Sequence, residues 1–198
     1  MITEFGWRLS IGLIMIGVFV LAGGYRWRAQ RGQRFSTKQE GLALMIPLRL
    51  MGLVVWFYPW LYVFAPAWIG WSLFPVPIWL RWVGIGGALL TFPWIAWAQQ
   101  HLGNNVTTTV ITRDNHQLIT TGPYRWVRHP LYTGGIVFFT ALTLIMGSWL
   151  PALAALLGLC LLLLRLPKEE AMLAARFGDT YRAYQQRTGA FIPRLWAS

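Results

Sequence analysis

Gly122-Pro123-Tyr124-Arg125-Trp126-Val127-Arg128-His129-Pro130-Leu131-Tyr132 opens onto an interval, 131 to 164, that holds no charged side chain, and the interval closes at Arg165-Leu166-Pro167-Lys168-Glu169-Glu170. A hydrocarbon layer of about 30 Å takes roughly 20 helical residues to cross, and somewhat fewer where side chains snorkel or the bilayer thins. The interval is therefore long enough for two short spans, near 131–147 and 149–166, divided at Gly147-Ser148. Pro130 and Pro151 are both tolerated in a first helical turn, where a missing N–H costs nothing. Two antiparallel spans of nearly equal length return the chain to the surface it left. Arg128 and His129 are then expected to face Glu169 and Glu170 across adjacent helices.

Working outward, the same alternation of uncharged runs and basic clusters covers the chain. Of its 198 residues 56% are apolar and only 12% charged, with 13 Trp and 11 Phe; soluble domains carry about 25% charged residues. Three further spans fall near 9–25, 46–64 and 78–98, which makes the expected fold an all-α integral membrane protein with five transmembrane helices in one domain, 1–198. The net charge of +11 would suggest nucleic acid on a soluble chain, but its distribution between apolar runs points to a membrane and to no nucleic-acid partner. Lys and Arg gather after spans one, three and five, whereas 65–77 and 147–151 have none, so the positive-inside rule predicts an outer N-terminus and an inner C-terminus. A cleaved leader is the alternative for the first span, yet the basic cluster from Arg26 to Arg34 opposes translocation of the chain beyond it.

Smaller features have ordinary readings. Arg49 is read as snorkelling to the inner surface, the single Cys160 as packing, and Trp71, Trp79 and Trp149 as part of an aromatic belt. Gly84 and Ala88 form a small-xxx-small helix contact, and Pro93 is a candidate kink in the third span. Gly84-Ile85-Gly86-Gly87 lies inside an apolar span without a preceding strand, so it is no dinucleotide loop. His101, His116 and His129 are scattered without ligand spacing, and no metal site is expected.

Nearly all remaining polar chemistry falls in two inner segments, 99–130 and 167–194. In the first, the β-branched run from Val106 to Thr112, the turn-like Arg113-Asp114-Asn115-His116 and the stretch Gln117 to Thr121 read as a short hairpin over the inner face. The second opens at Pro167, and Pro followed by Glu is how an ordinary helix begins, with carboxylates offsetting its positive end. Gly178-Asp179 then reads as the end of one helix and the cap of the next. Two readings of Arg128 opposite the glutamates stay open: a water-poor pocket at the membrane boundary, or an ion pair that pins the hairpin.

The motifs Leu102-Gly103-Asn104-Asn105, Gly122-Pro123-Tyr124-Arg125-x-Val127-Arg128-His129-Pro130-x-Tyr132-x-Gly134, Pro167-Lys168-Glu169-Glu170 and Phe177-Gly178-Asp179-x-Tyr181-x-x-Tyr184, with the closing Phe191-Ile192-Pro193, resemble the isoprenylcysteine carboxyl methyltransferase family of membrane enzymes. They are similar, more distantly, to phospholipid N-methyltransferases. The resemblance covers about 99–194 and implies S-adenosylmethionine-dependent methyl transfer at the cytosolic membrane face to a lipid-modified or prenylated acceptor drawn from the bilayer. By the same resemblance, His101, Leu102, Gly103, Asn104, Tyr124, His129, Pro130, Tyr132, Glu169 and Glu170 match cofactor-pocket positions. Arg128 with Glu169 matches an Arg/Glu pair near the reacting groups, and Glu170 stands beside it. Three rival readings remain: a phospholipid N-methyltransferase, an NADPH-dependent sterol-type membrane reductase, and a non-enzymatic scaffold or small transporter.

Overall fold

The computed structural model describes residues 3–30, 52, 56–102 and 118–194. Its helices are α1 (Glu4–Gln30), α2 (56–64), the single turn α3 (Pro66–Ile69), α4 (Ile78–Leu102), α5 (Pro130–Met146), α6 (Trp149–Phe177) and α7 (Asp179–Arg187), with 3-10 turns at Gly70–Ser72 and Gly122–Arg125. Among the described residues there is no strand, only two isolated bridges. Three helices, α1, α4 and α6, are long and apolar enough to cross a membrane, and α5 is a shorter apolar helix of 17 residues.

α4 is the element on which the others assemble. Gly84 faces α5 so closely that a Cβ there would lie 2.8 Å from Ile145 Cγ1 and 2.9 Å from the Ala141 carbonyl oxygen. Ala88, one turn on, is fully buried. The expected small-residue contact thus lets α4 and α5 dock, and Gly134 repeats the device near the other end against Trp94 and Ile95. α1 runs parallel to α4: Glu4 meets Arg81 at one end, and Gly17 abuts Phe92 farther along. Trp7, Ile11, Met15, Tyr62, Leu142 and Ile145 are buried together between these helices.

The turn between α5 and α6 is held by polar groups. Gly147 takes a left-handed conformation (φ 61°), and its carbonyl accepts from Phe74 N at 2.6 Å. The Tyr58 hydroxyl bonds Ser72 Oγ at 2.7 Å and Ser148 Oγ at 2.5 Å in a buried cluster joining α2, the 3-10 turn and the hairpin tip. Ser148 also caps α6, accepting from Leu150 N at 3.4 Å.

Several expectations shift. The third span, expected to end near 98, continues as α4 to Leu102, so His101 and Leu102 belong to its last turn. Pro167 does not start a new helix; it lies inside α6, so Glu169 and Glu170 are interior residues and not first-turn caps. The long run of leucines and alanines around it propagates the helix through the one hydrogen bond that proline removes. At 29 residues α6 is longer than a bilayer requires, and everything from Arg165 onward extends past its uncharged part. Gly178 does separate α6 from α7, but Asp179 is the first residue of α7 and pairs with Arg182 at 3.0 Å instead of capping. Cys160 is exposed on α6 rather than packed. Arg49 and the 106–117 part of the expected hairpin lie outside the described residues, as does the first part of the second span.

Close packing at Gly84 leads to a clear contrast. Gly84→Leu is expected to overpack the α4–α5 contact and cost about 1–3 kcal/mol, lowering the thermal midpoint in detergent, whereas Gly86→Ala, with nothing within 4 Å, leaves it unchanged or higher.

Candidate functional site

The segment Val127–His129 joins the 3-10 turn to α5, and its backbone is fixed by the chain beyond α7. Arg128 N donates to Gly189 O at 2.9 Å and His129 N to Ala190 O at 3.0 Å, around a parallel bridge between Val127 and Gly189. Thr133 Oγ1 adds a bond to Phe191 O at 2.8 Å. Trp94 Nε1 donates to Pro130 O at 2.8 Å and ties the start of α5 to α4.

From this segment Arg128 reaches α6. Its Nε and Nη2 both lie 2.8 Å from Glu170 Oε1, while Nη1 donates to the carbonyls of Thr188 and, at 3.4 Å, Gln185. The other carboxylate oxygen of Glu170 accepts from Gln185 Nε2 at 3.0 Å. One ion pair thus joins the α5 entry, α6 and α7, with both side chains largely shielded, 12% and 18% exposed. His129 Nε2 stands 3.5 Å from the same Glu170 oxygen. It is buried, and at that separation it backs the two guanidinium contacts on the carboxylate. Beyond the apolar part of α6, the Glu170 carboxyl is held well below the usual range, at about 2, by the His129 ring and Arg128 against an opposing push from burial.

Glu169 lies on the neighbouring face. The Tyr132 hydroxyl donates weakly to its Oε2 at 3.5 Å. The Tyr132 ring stacks on His129, 5.4 Å between centroids and 6° from parallel, and Phe191 leans on both. Tyr184 Oη donates to Tyr124 O at 2.6 Å, and burial pushes its pKa up to about 12, so it stays a donor at neutral pH. Burial raises the Tyr124 phenol too, followed by the charges of Tyr184, Glu169 and Tyr132.

The expected facing of Arg128 and His129 with the glutamates is present, with one correction. The partner of Arg128 is Glu170, not Glu169. A helix continuous through Pro167 turns successive residues about 100° apart, so only one of two adjacent glutamates meets the guanidinium. His101 packs elsewhere: its Nδ1 lies 3.0 Å from Trp97 O, and its ring fills the space a Cβ on Gly122 would enter, 2.6 Å away. Gly122 takes φ 61°, open only to glycine without strain, and so lets the turn bearing Tyr124 rest on α4. Leu102 ends α4, and Gly103 and Asn104 lie outside the described residues. Gln185, Thr188 and Thr133 were missed by sequence reasoning. Tyr181, Gln185 and Thr188 recur at helical spacing, and that face of α7 was the available signal.

With this geometry in place, the chain can be set beside known proteins. The family model described as the isoprenylcysteine carboxyl methyltransferase (ICMT) family matches residues 82–175. A protein-S-isoprenylcysteine O-methyltransferase of Schizosaccharomyces pombe is 31% identical over 101 residues, 50% of this chain and 43% of that one. The nickel-cobalt-cadmium resistance protein NccN of Alcaligenes xylosoxydans xylosoxydans is 34% identical over 115 residues, 56% of this chain and 53% of that one. The chain therefore spans about half the length of these relatives. In fold, it superposes on the eukaryotic intramembrane Ras methyltransferase ICMT with a TM-score of 0.56 at 22% identity, covering 92% of this chain and 73% of that one.

The depressed pKa of Glu170 has a signed consequence. Its ion contributes stability in full above the ordinary value of 4.5, and the contribution is lost as pH falls toward about 2. Wild type should exceed Glu170→Gln in thermal midpoint by a constant margin above pH 4.5, and the margin should vanish on acidification through that window.

Proposed function

We propose, from the match of the isoprenylcysteine carboxyl methyltransferase family model to residues 82–175, that the protein is an S-adenosylmethionine-dependent membrane methyltransferase acting on a lipid-modified or prenylated acceptor, most like isoprenylcysteine carboxyl O-methylation. The observation that carries this reading is the Arg128–Glu170 pair, with His129 and Tyr132 stacked beside it, at the mouth of an apolar helical hairpin inside the matched region.

The residues present suit that cofactor. His129 Nε2 is buried without a hydrogen bond, next to the parallel ring of Tyr132. A ring nitrogen can serve a carboxylate, and an aromatic face attracts a sulfonium. Leu102, Gly103, Asn104, Tyr124, His129, Pro130, Tyr132 and Glu169 are the proposed holding set; His101 backs it only through Gly122, and Glu170 through Arg128. Bound there, S-adenosylmethionine supplies an electrophilic methyl group. Arg128 and Glu170 act as a positioning pair, since the guanidinium spends its donors on Glu170, Thr188 and Gln185 and keeps α6 and α7 against the α5 entry. Glu169, next to Tyr132, is the carboxylate left to face a substrate. For a carboxylate acceptor it takes no proton; for an amine it is the base. Alignment and exclusion of water supply the rest of the rate.

The orientation belongs to the same proposal: five spans in one domain, an outer N-terminus and a cytoplasmic site. It is supported by the parallel course of α1 and α4, which calls for one return crossing between them, and by the basic residues at the site end.

The deciding experiment incubates detergent-solubilised protein with methyl-labelled S-adenosylmethionine and a panel of prenylcysteines, phospholipids and thiols. Base-labile label in a prenylcysteine ester, with binding of S-adenosylhomocysteine and not NADPH, is the expected result; NADPH binding alone would turn the assignment to a reductase. Glu169→Gln should leave kcat within a few-fold for a carboxylate acceptor but lower it about 100-fold or more for an amine. His129→Ala should weaken S-adenosylhomocysteine about tenfold, equivalent to ~1.4 kcal/mol.

A further inference from the structure

Every exposed Lys or Arg among the described residues lies at the end of the bundle that carries Arg128: Arg125, Lys168, Arg182, Arg187 and Arg194. Of these, only Arg182 has a carboxylate partner, the exposed Asp179 at 3.0 Å. The Val127–Gly189 bridge runs two chain segments side by side in parallel, and Arg125 and Arg187 each stand two residues before it on those segments. Arg194 folds back onto the end of α7, where it donates to Gln186 O. Like charges gathered without a counter-charge repel one another, and an anion from outside the chain relieves them.

Two exposed apolar side chains stand among these cations. Trp126, 38% exposed, meets the Trp97 ring of α4 edge-on at 5.4 Å between centroids, and the Arg125 guanidinium lies over its indole at 5.2 Å. Ile192, 76% exposed, follows Phe191, which packs on His129 and Tyr132 and whose carbonyl accepts from Thr133 in the first turn of α5. Arg194 comes two residues later. Both apolar groups are therefore fixed where α4 and α5 leave the uncharged layer, each with an arginine beside it. That pairing suits the boundary of a bilayer, where the apolar part enters the acyl layer and the cation meets phosphate. A soluble acidic partner would serve the arginines but leave Trp126 and Ile192 in water. The complementary surface is an anionic leaflet.

We propose that Arg125, Arg187 and Arg194, with Trp126 and Ile192 as apolar anchors, bind the anionic phospholipid headgroups of the leaflet at the Arg128 end, and that this contact holds the segment after α7 in place. That segment supplies the Gly189 and Ala190 carbonyls that fix the backbone of Arg128 and His129. Lipid charge thus steadies the site from outside it. The inference does not depend on the reaction catalysed.

Hydrogen exchange of the full chain in nanodiscs tests it, comparing phosphatidylcholine alone with an equal mixture of phosphatidylcholine and phosphatidylglycerol. The amides of Arg128 and His129, which donate to Gly189 and Ala190, should exchange more slowly in the mixed discs, by about fivefold for each arginine engaged, the worth of one basic residue at an anionic surface. The difference should shrink toward about 1 M salt, where charges are screened beyond about 3 Å. Arg125→Gln combined with Arg187→Gln should remove most of it while leaving exchange in phosphatidylcholine discs at the wild-type rate, and Arg125→Lys combined with Arg187→Lys should keep it. Arg194 stays intact in these variants because it also binds the end of α7. Equal exchange in the two kinds of disc, a difference that survives the Gln pair or high salt, faster exchange of the Gln pair in phosphatidylcholine alone, or the same slowing by soluble glycerol phosphate would each overturn the proposal.

Discussion

Arg128 and Glu170 meet at 2.8 Å across helices whose facing ends are separated by more than forty residues of chain, and most of the site geometry depends on that contact. The guanidinium is planar and carries donors on several edges, so one residue serves α6 through Glu170 and the chain after α7 through the carbonyls of Thr188 and Gln185. Its own backbone is held by Gly189, and its neighbour's by Ala190. Removing either charge would leave the other shielded from water and unpaired, the costly case for an ion pair. The pair therefore pins the hairpin, with His129 and Tyr132 stacked beside it.

The two ends of the bundle solve different problems. At the far end the α5–α6 turn is compact, with Gly147 in a left-handed conformation and the hydroxyls of Tyr58, Ser72 and Ser148 bonding one another out of water. Those small polar groups need no charge, and their bonds strengthen in a low-dielectric setting. At the site end, charges are used because three separate chain segments must be joined where α6 has already left the apolar layer. Between the ends, Gly84 and Gly134 remove the side chains that would hold α4 and α5 apart, so the helix start that carries His129 and Tyr132 is set rigidly on α4.

Much of the fold was legible because hydrophobic length is a strong signal. The boundaries 131–147 and 149–166 fall within a residue of where α5 starts and ends and where α6 starts, since Pro130, Gly147 and Pro151 punctuate the chain locally. The end of α6 was misread for the opposite reason. Pro167 carries a local stop signal, and cooperativity along a leucine-rich helix overrides it. His101 lies past the expected end of the third span at 98, because the helix extends beyond the apolar run to reach it. In the site, Arg128, His129 and Glu170 were legible from the return of an antiparallel hairpin to one surface. Gln185 and Thr188 were not, because nothing local ties α7 to Arg128.

What the sequence determined by itself is whatever depends on spacing along one chain: where uncharged runs are long enough for helices, where glycine and proline interrupt them, and that the Arg128 segment and the Glu169-Glu170 pair lie at the same end of the hairpin. Only the tertiary structure decided that Glu170 rather than Glu169 takes the guanidinium, that Thr188 and Gln185 share it, and that His129 lies flat on Tyr132. The reason is rotational. Adjacent residues on a helix point about 100° apart, and the rotation of α6 about its axis is set by its packing on α5 and by the α7 return, neither of which has a local signature.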